Sequence, residues 1–338
     1  MRTIILERPG RLVRAQRAPP GPPADGEALV RVRRVGICGT DLHAFAGRQP
    51  FFDYPRILGH ELAVEVVAVG PGVERVQPGQ RAAVEPYLPC GACQACRRAR
   101  PNCCARLQVL GVHVDGGMRE LLRVPAARLH PCAQLGLDEL ALVEMLAVGA
   151  HAVGRAAVGP GDTALVVGAG PIGLAVLQHL RLDGARVLVA DRSARRLDLC
   201  AARFAPDGLV DAREPVLPQV CRQLGGELPT VVFEATGSAA SMMASFGYVA
   251  GSGCLVFVGF VPEEITFADP EFHRREVSLL ASRNALRRDF EHCLQRLRAG
   301  CIRADQWITH RLDWTTVAAD LPDLLDPEQG ALKAVLEI

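Results

Sequence analysis

The chain has 338 residues, 49% of them hydrophobic and 22% charged, and a formal net charge of +1. That length suits two domains, and so even a charge balance gives no reason to expect nucleic acid or an anionic membrane as partner. The start, MRTIILERPG, lacks the apolar run of a signal peptide and no stretch reaches ~18 uncharged apolar residues, so a cytoplasmic location is expected and the 12 cysteines read first as metal ligands or catalytic groups, not disulfides.

Residues 1–150 carry short alternating apolar runs among Gly and Pro. EALVRVRRVGI (Glu27 to Ile37) and ELAVEVVAVG (Glu61 to Gly70) alternate at period two, the mark of half-buried strands. PGPPADG before the first and VGPGVERVQPGQR after the second are turn punctuation. From about Asp162 the texture changes. TALVVGAG is a buried strand entering a glycine turn, PIGLAVLQHLRLDG a helix with Pro171 in its first turn, ARVLVAD a strand and RSARRLDLCAARF a helix. TVVFEATG, GCLVFVGF and VSLLASR are three further strands. Strands alternating with helices predict a parallel, doubly wound sheet. FEHCLQRLRAG reads as a helix and ALKAVLEI as a closing strand resembling the first region. The expected fold class is therefore α/β: a split β-rich domain over residues 1–150 and 290–338, with a nucleotide-binding domain, residues 151–289, inserted in it.

The segment CGACQACRRARPNCC spaces Cys90, Cys93 and Cys96 three apart, with Cys104 further on. Four thiolates on one short lobe can wrap a tetrahedral zinc ion, and a site filled by sulfur is closed and structural. Cys103, beside Cys104, stays open as the alternative fourth ligand. GICGTDLH places Cys38 at the end of a strand, and ILGHE places His60 and Glu61 just before the next. A catalytic zinc needs soft or nitrogen ligands and one open position; Cys38 and His60 fit, with Glu61 or Glu144 to complete the set. Alone, each reads as ordinary: a lone Cys as core, a lone His or Glu as surface. The cysteine lobe nearby raises the combination above that.

GAGPIG gives Gly168, Gly170 and Gly173 the G-x-G-x-x-G spacing, directly after a strand and opening a helix through Pro171 and Ile172. The first glycine makes the turn, the second lets backbone approach a pyrophosphate, and the third lets helix pack on strand. The helix N-terminus supplies donors for phosphate. Asp191 ends the next strand, placed to accept from both ribose hydroxyls and to repel a 2′-phosphate, which favours NAD over NADP. Arg192 and Arg196 sit nearby and soften that preference. The plain alternative for Asp191 is a strand-end or helix N-cap aspartate.

Taken together, GICGTDLH, LGHE, VGPGV, PGQRAAV, CGACQACRRARPNCC, VEMLAVGAHAV, VVGAGPIG and VAD resemble, in order and over nearly the whole length, the zinc-containing medium-chain alcohol, sorbitol and threonine dehydrogenases. The resemblance implies a GroES-like catalytic domain beside a Rossmann domain, two zinc ions per chain, and a homotetramer or homodimer acting on a small polyhydroxylated molecule. It implies Cys38 and His60 as zinc ligands, Glu61 as a group that ligates or exchanges with substrate, and Glu144 at the third ligand position of the polyol branch, where the simple-alcohol branch has Cys. Met145 stands where the family usually has Pro. Thr40 and His43 match the family's proton relay, Thr236 and Gly237 its ribose loop, and Val258 and Gly259 its nicotinamide wall. In the implied reaction zinc lowers the pKa of a substrate hydroxyl and the carbon delivers hydride to the nicotinamide. YPRILGHE, VLGVHVDGG, SRNA and WITH resemble bacterial enzymes acting on hexonates at C5. A hexonate carboxylate would need a cation, for which Arg48, Arg119 and Arg283 are candidates; Asn284 accompanies Arg283, and Trp307 and His310 read as packing. A non-catalytic binding or regulatory relative would be marked by loss of a zinc ligand or of the glycine turn, and neither is lost. A zinc-free reductase would lack the cysteine lobe and the Cys38–His60 pair.

Overall fold

The structure is a computed structural model that describes residues 1–49, 52–326 and 329–338. It comprises two compact units, residues 1–144 with 286–338 and residues 145–285.

The first unit is built on a sheet whose central member is Glu27–Ile37. Its alternation puts Ala28, Val30, Val32 and Val35 in the core. Glu61–Val69 pairs antiparallel on one side with Val30 opposite Val66 and Val32 opposite Val64. Lys333–Glu337 pairs antiparallel on the other, with Ala334 opposite Ile37 and Leu336 opposite Val35. The closing strand therefore returns to the sheet begun near the N-terminus, and the split domain is one sheet. Burying each Val or Leu here is worth roughly 1.5–3 kcal/mol before entropy is charged. One glycine in this sheet is dictated by its neighbour. A Cβ on Gly36 would lie 2.1 Å from Oε2 of Glu61.

The second unit holds six parallel strands in the order Gly208–Asp211, Arg186–Asp191, Thr163–Val167, Val231–Glu234, Cys254–Phe257, Ser278–Ala281. Numbered along the chain this is the doubly wound order, with the switch point between Thr163–Val167 and Val231–Glu234, where such sheets open a ligand crevice. Gly168 turns out of the first strand at φ +106°, and helix Pro171–Leu182 follows with proline at its N-terminus. A Cβ on Gly173 would sit 1.8 Å from the carbonyl oxygen of Gly168, so helix and turn meet only because this residue has none.

Helix Leu137–Ala156 contains the border between the units, after Glu144. The expected border at 150 lies further along this helix and the one at 290 within helix Arg287–Arg298. Met145 is buried inside the first helix. Its N–H is available to the helix ladder, where proline would remove it and crowd the preceding turn. Among the described residues, no helix is long and apolar enough to cross a membrane.

Candidate metal centres and cofactor crevice

In the cysteine lobe, the sulfurs of Cys90, Cys93, Cys96 and Cys104 all lie within 4.8 Å of one another. The 3-10 turn Pro101–Cys103 separates the two adjacent cysteines: Cys103 is exposed, whereas Cys104 is buried. Cys104 Sγ accepts from the backbone N–H groups of Cys90 at 3.2 Å and Arg106 at 3.3 Å. The backbone N–H of Ala92 and the Arg106 guanidinium lower the Cys90 pKa to about 5. Burial and the neighbouring thiols push Cys96 up to about 11. Four sulfurs this close do not ionise together without a cation among them, and this donor set fits zinc.

The second cluster joins the two turns singled out around Cys38 and His60. Cys38 stands at the N-cap of helix Gly39–Phe45. Asp41, one turn in, accepts from the N–H of Cys38 at 2.9 Å and from the N–H of Gly59 at 3.3 Å. It thereby ties the Cys38 turn to the His60 turn. Ligand atoms of Cys38, His60 and Glu61 lie within 4.8 Å of one another. Nδ1 of His60 is buried without a hydrogen-bond partner among the described residues, 3.9 Å from Asp41 Oδ1. Burial opposes the imidazolium, but Cys38 and Asp41 outweigh it and hold the His60 pKa well above its ordinary value. Burial raises Asp41 and Glu144 above the usual carboxylate range. A thiol, an imidazole and several acids sharing one buried place make a site suited to a divalent cation with nitrogen and sulfur preference.

Each acidic candidate has a buried donor on it. Nζ of Lys333 bonds Glu61 Oε1 at 2.7 Å, Oε2 at 2.6 Å and the carbonyl of Ile37 at 3.2 Å. Burial disfavours that ammonium, yet Glu61 and Cys38 carry its pKa above the usual lysine value. Glu144 accepts at Oε1 from the hydroxyl of Tyr87. Neither Lys333 nor Tyr87 stood out in the sequence. Lys333 sits in ALKAVLEI, which reads only as a strand, and no local pattern marks a partner 272 positions away.

Thr40 and His43 lie three apart on helix Gly39–Phe45, which puts them on one face. His43 is exposed, and what burial its ring has, together with Arg48, lowers its pKa. Of the three candidate cations, Arg48 is exposed, and Arg119 is half-buried and donates to the carbonyl of Asp115 at 3.3 Å. Arg283 is exposed in the second unit, next to Asn284 at φ +52°. Trp307 is fully buried, and His310 Nδ1 lies 2.9 Å from Thr309 Oγ1.

In the second unit, a crevice of about 490 Å³ opens at the carboxyl ends of the strands, lined by Gly168, Gly170, Asp191, Arg192, Arg196 and Thr236 among others. Asp191 is fixed there: Oδ2 accepts from the N–H of Ala169 at 2.7 Å and Oδ1 from the N–H of Ser193 at 2.7 Å. The N-cap of the following helix is Ser193, which accepts from the N–H of Arg196, so the helix does not need Asp191 for capping. Pro171, Ile172 and Gly173 form the first turn of the helix leaving the crevice. Val258 and Gly259 donate their N–H groups to the carbonyl of Glu234, both at 2.9 Å, and are not among the lining residues. Arg213, which the sequence did not single out, lines the crevice with its guanidinium bonded to both oxygens of Asp211.

Residues 24–134 match the alcohol dehydrogenase GroES-like domain and residues 171–299 the zinc-binding dehydrogenase family. The L-galactonate-5-dehydrogenase of Escherichia coli K12 is 43% identical over 318 residues, 94% of this chain and 93% of that protein. An alcohol dehydrogenase of E. coli CFT073, solved with NADH, superposes with a TM-score of 0.93 at 31% identity, covering 100% of this chain and 99% of the other. A zinc-binding dehydrogenase of Sinorhizobium meliloti 1021, solved with NADP, gives 0.92 at 28% identity over 100% and 99% of the two chains.

Proposed function

The chain belongs to the zinc-type medium-chain alcohol dehydrogenase family, and on that premise we propose that it oxidises a secondary hydroxyl of a sugar acid or polyol, a hexonate such as L-galactonate or L-gulonate at C5, with NAD as acceptor. The observation that carries the reading is the buried group of Cys38, His60 and Glu61, with Glu144 rather than a second cysteine as the further acid beside it. The similarity to L-galactonate-5-dehydrogenase supports the substrate class.

Cys38, His60 and Glu61 would hold a catalytic zinc, with Glu144 the alternative acid, and Cys90, Cys93, Cys96 and Cys104 would hold a structural one. When bound, zinc supplies polarisation of the substrate hydroxyl and the nicotinamide supplies the hydride acceptor. The chain's own groups move the proton and orient the partners. The Thr40 hydroxyl would take the substrate proton while giving up its own through the cofactor ribose to His43, exposed and with a lowered pKa, and so to solvent. Asp191, fixed by the N–H groups of Ala169 and Ser193, presents its carboxylate to the adenosine ribose diol. Thr236 flanks it, while Arg192 and Arg196 temper the discrimination against a 2′-phosphate. The turn at Gly168, Gly170 and Gly173 brings backbone N–H groups to the pyrophosphate.

Metal analysis of the purified protein alongside NADH formation on a hexonate tests this. The expected result is two zinc ions per chain, one removable by a chelator with loss of turnover while the fold persists. Turnover that survives complete zinc removal would overturn it.

A further inference from the structure

Glu234 ends strand Val231–Glu234 on one side of the switch point, inside the second unit. It is fully buried. Its carbonyl takes the N–H groups of Val258 and Gly259, and its side chain turns to the loop that follows the strand. Oε1 accepts from the N–H of Thr236 at 3.2 Å and from the Thr236 hydroxyl. Oε2 lies beside Gly259, where a Cβ would stand 3.0 Å from it, and has no hydrogen-bond partner among the described residues. Burial carries the Glu234 pKa above the usual carboxylate range, against the hydrogen bonds from Thr236 and Ser241.

A carboxyl group buried with one oxygen unpaired is costly. Helix capping does not require it, since Ser238 caps helix Ala239–Ser245. What the acid does is set direction. A hydroxyl has one proton and two lone pairs. Thr236 gives its proton to Glu234, and its oxygen accepts from the N–H of Ser238 at 3.1 Å. Its backbone N–H is also taken by Glu234. Both donors of Thr236 are thus turned away from the crevice that Thr236 lines together with Asp191, and a lone pair is what remains for a ligand. The Asp191 carboxylate likewise offers only acceptors. Two acceptors suit a ribose diol, which has protons to donate. A 2′-phosphate brings acceptor oxygens and negative charge and meets no donor from Thr236. We propose that Glu234 is a positioning residue for cofactor choice: by holding both donors of Thr236 it makes this wall of the crevice an acceptor and favours a free ribose 2′-hydroxyl over a 2′-phosphate. The inference rests on the reading of the crevice as an NAD site with Asp191 at the adenosine ribose. It adds a buried residue that is not among those lining the crevice.

Fluorescence titration of the protein with NADH and with NADPH tests this without turnover, because a loop that merely loosens loses both affinities in the same proportion. Glu234→Met removes the acceptor and releases both donors of Thr236. NADH affinity should fall and NADPH affinity rise, so that their ratio drops about tenfold, the order of one hydrogen bond. Thr236→Val, which removes the hydroxyl without touching the buried acid, should lower the ratio through NADH alone. Glu234→Gln keeps an amide oxygen, which the N–H of Thr236 pins in place, and should retain the wild-type ratio. If Glu234→Met and Thr236→Val lower both affinities equally or leave both unchanged, Glu234 only braces the loop and the proposal fails. Where Glu234→Met does not fold, an unchanged ratio in Thr236→Val overturns it by itself. If the wild type binds NADPH at least as tightly as NADH, the reading of the crevice as an NAD site fails beneath the proposal.

Discussion

Replacing Lys333 with Met tests how the buried acids are held. Lys333 is 2% exposed and Glu61 1% exposed, and the ammonium bonds both carboxylate oxygens. Methionine keeps the unbranched stem but leaves a carboxylate in the core with no donor. Breaking a buried pair from one side costs about 3–5 kcal/mol, mostly because the remaining charge is uncompensated. At ~2–4 °C per kcal/mol for a domain of this size, the melting point should fall by about 6–20 °C. The sign with pH is fixed by the raised Lys333 pKa. A group whose pKa is raised on folding stabilises fully below its unfolded value and loses this only as pH passes the folded one, so the pair is at full strength at neutral pH. The assay is urea and thermal unfolding at matched zinc content, followed by tryptophan fluorescence. Both tryptophans, Trp307 and Trp314, belong to the first unit, so the signal reports the domain that holds the pair. The double variant Lys333→Met/Glu61→Met should recover most of the loss. A single variant within ~1 kcal/mol of the wild type, or a double variant no better than the single, would refute the argument.

Other consequences follow from the same geometry. Gly173→Ala puts a methyl 1.8 Å from the Gly168 carbonyl oxygen, so NADH affinity by fluorescence titration should fall at least about tenfold, the ~1.4 kcal/mol that even modest overpacking costs; unchanged affinity would show that the turn can move. Thr40→Val should keep the wild-type zinc content and lose most turnover, and full activity would remove Thr40 from the proton path. Because partial burial and then Arg48 hold the His43 pKa down, Arg48→Ala should shift the acid limb of the kcat/KM–pH profile to higher pH, and a shift to lower pH, or none, would detach His43 from that limb.

Much of this was legible in local pattern. Glu27–Ile37 reads as a strand because its apolar residues alternate, and the sheet uses that face. The glycine turn reads correctly because strand, three glycines and helix are contiguous, and steric demand at Gly173 is a short-range matter. The open choice between Cys103 and Cys104 needed the structure, since a 3-10 turn decides which neighbour points inward. So did the border inside Leu137–Ala156, because a helix that continues through a border gives no turn signal. The donors on the acids were illegible for a different reason. Tyr87 and Glu144 are 57 positions apart, Lys333 and Glu61 272 apart, and such pairs are set by tertiary packing, of a strand against a helix in the first and across the sheet in the second, rather than by spacing.

The central claim is tested most directly by kcat/KM of the zinc-loaded protein with NAD and with NADP across hexonates, pentitols and hexitols, threonine and short alcohols. The account predicts the highest value with NAD on a hexonate or polyol carrying a secondary hydroxyl, and a lower value with NADP on the same substrate. Turnover confined to threonine or to short primary alcohols, or a preference for NADP, would contradict it.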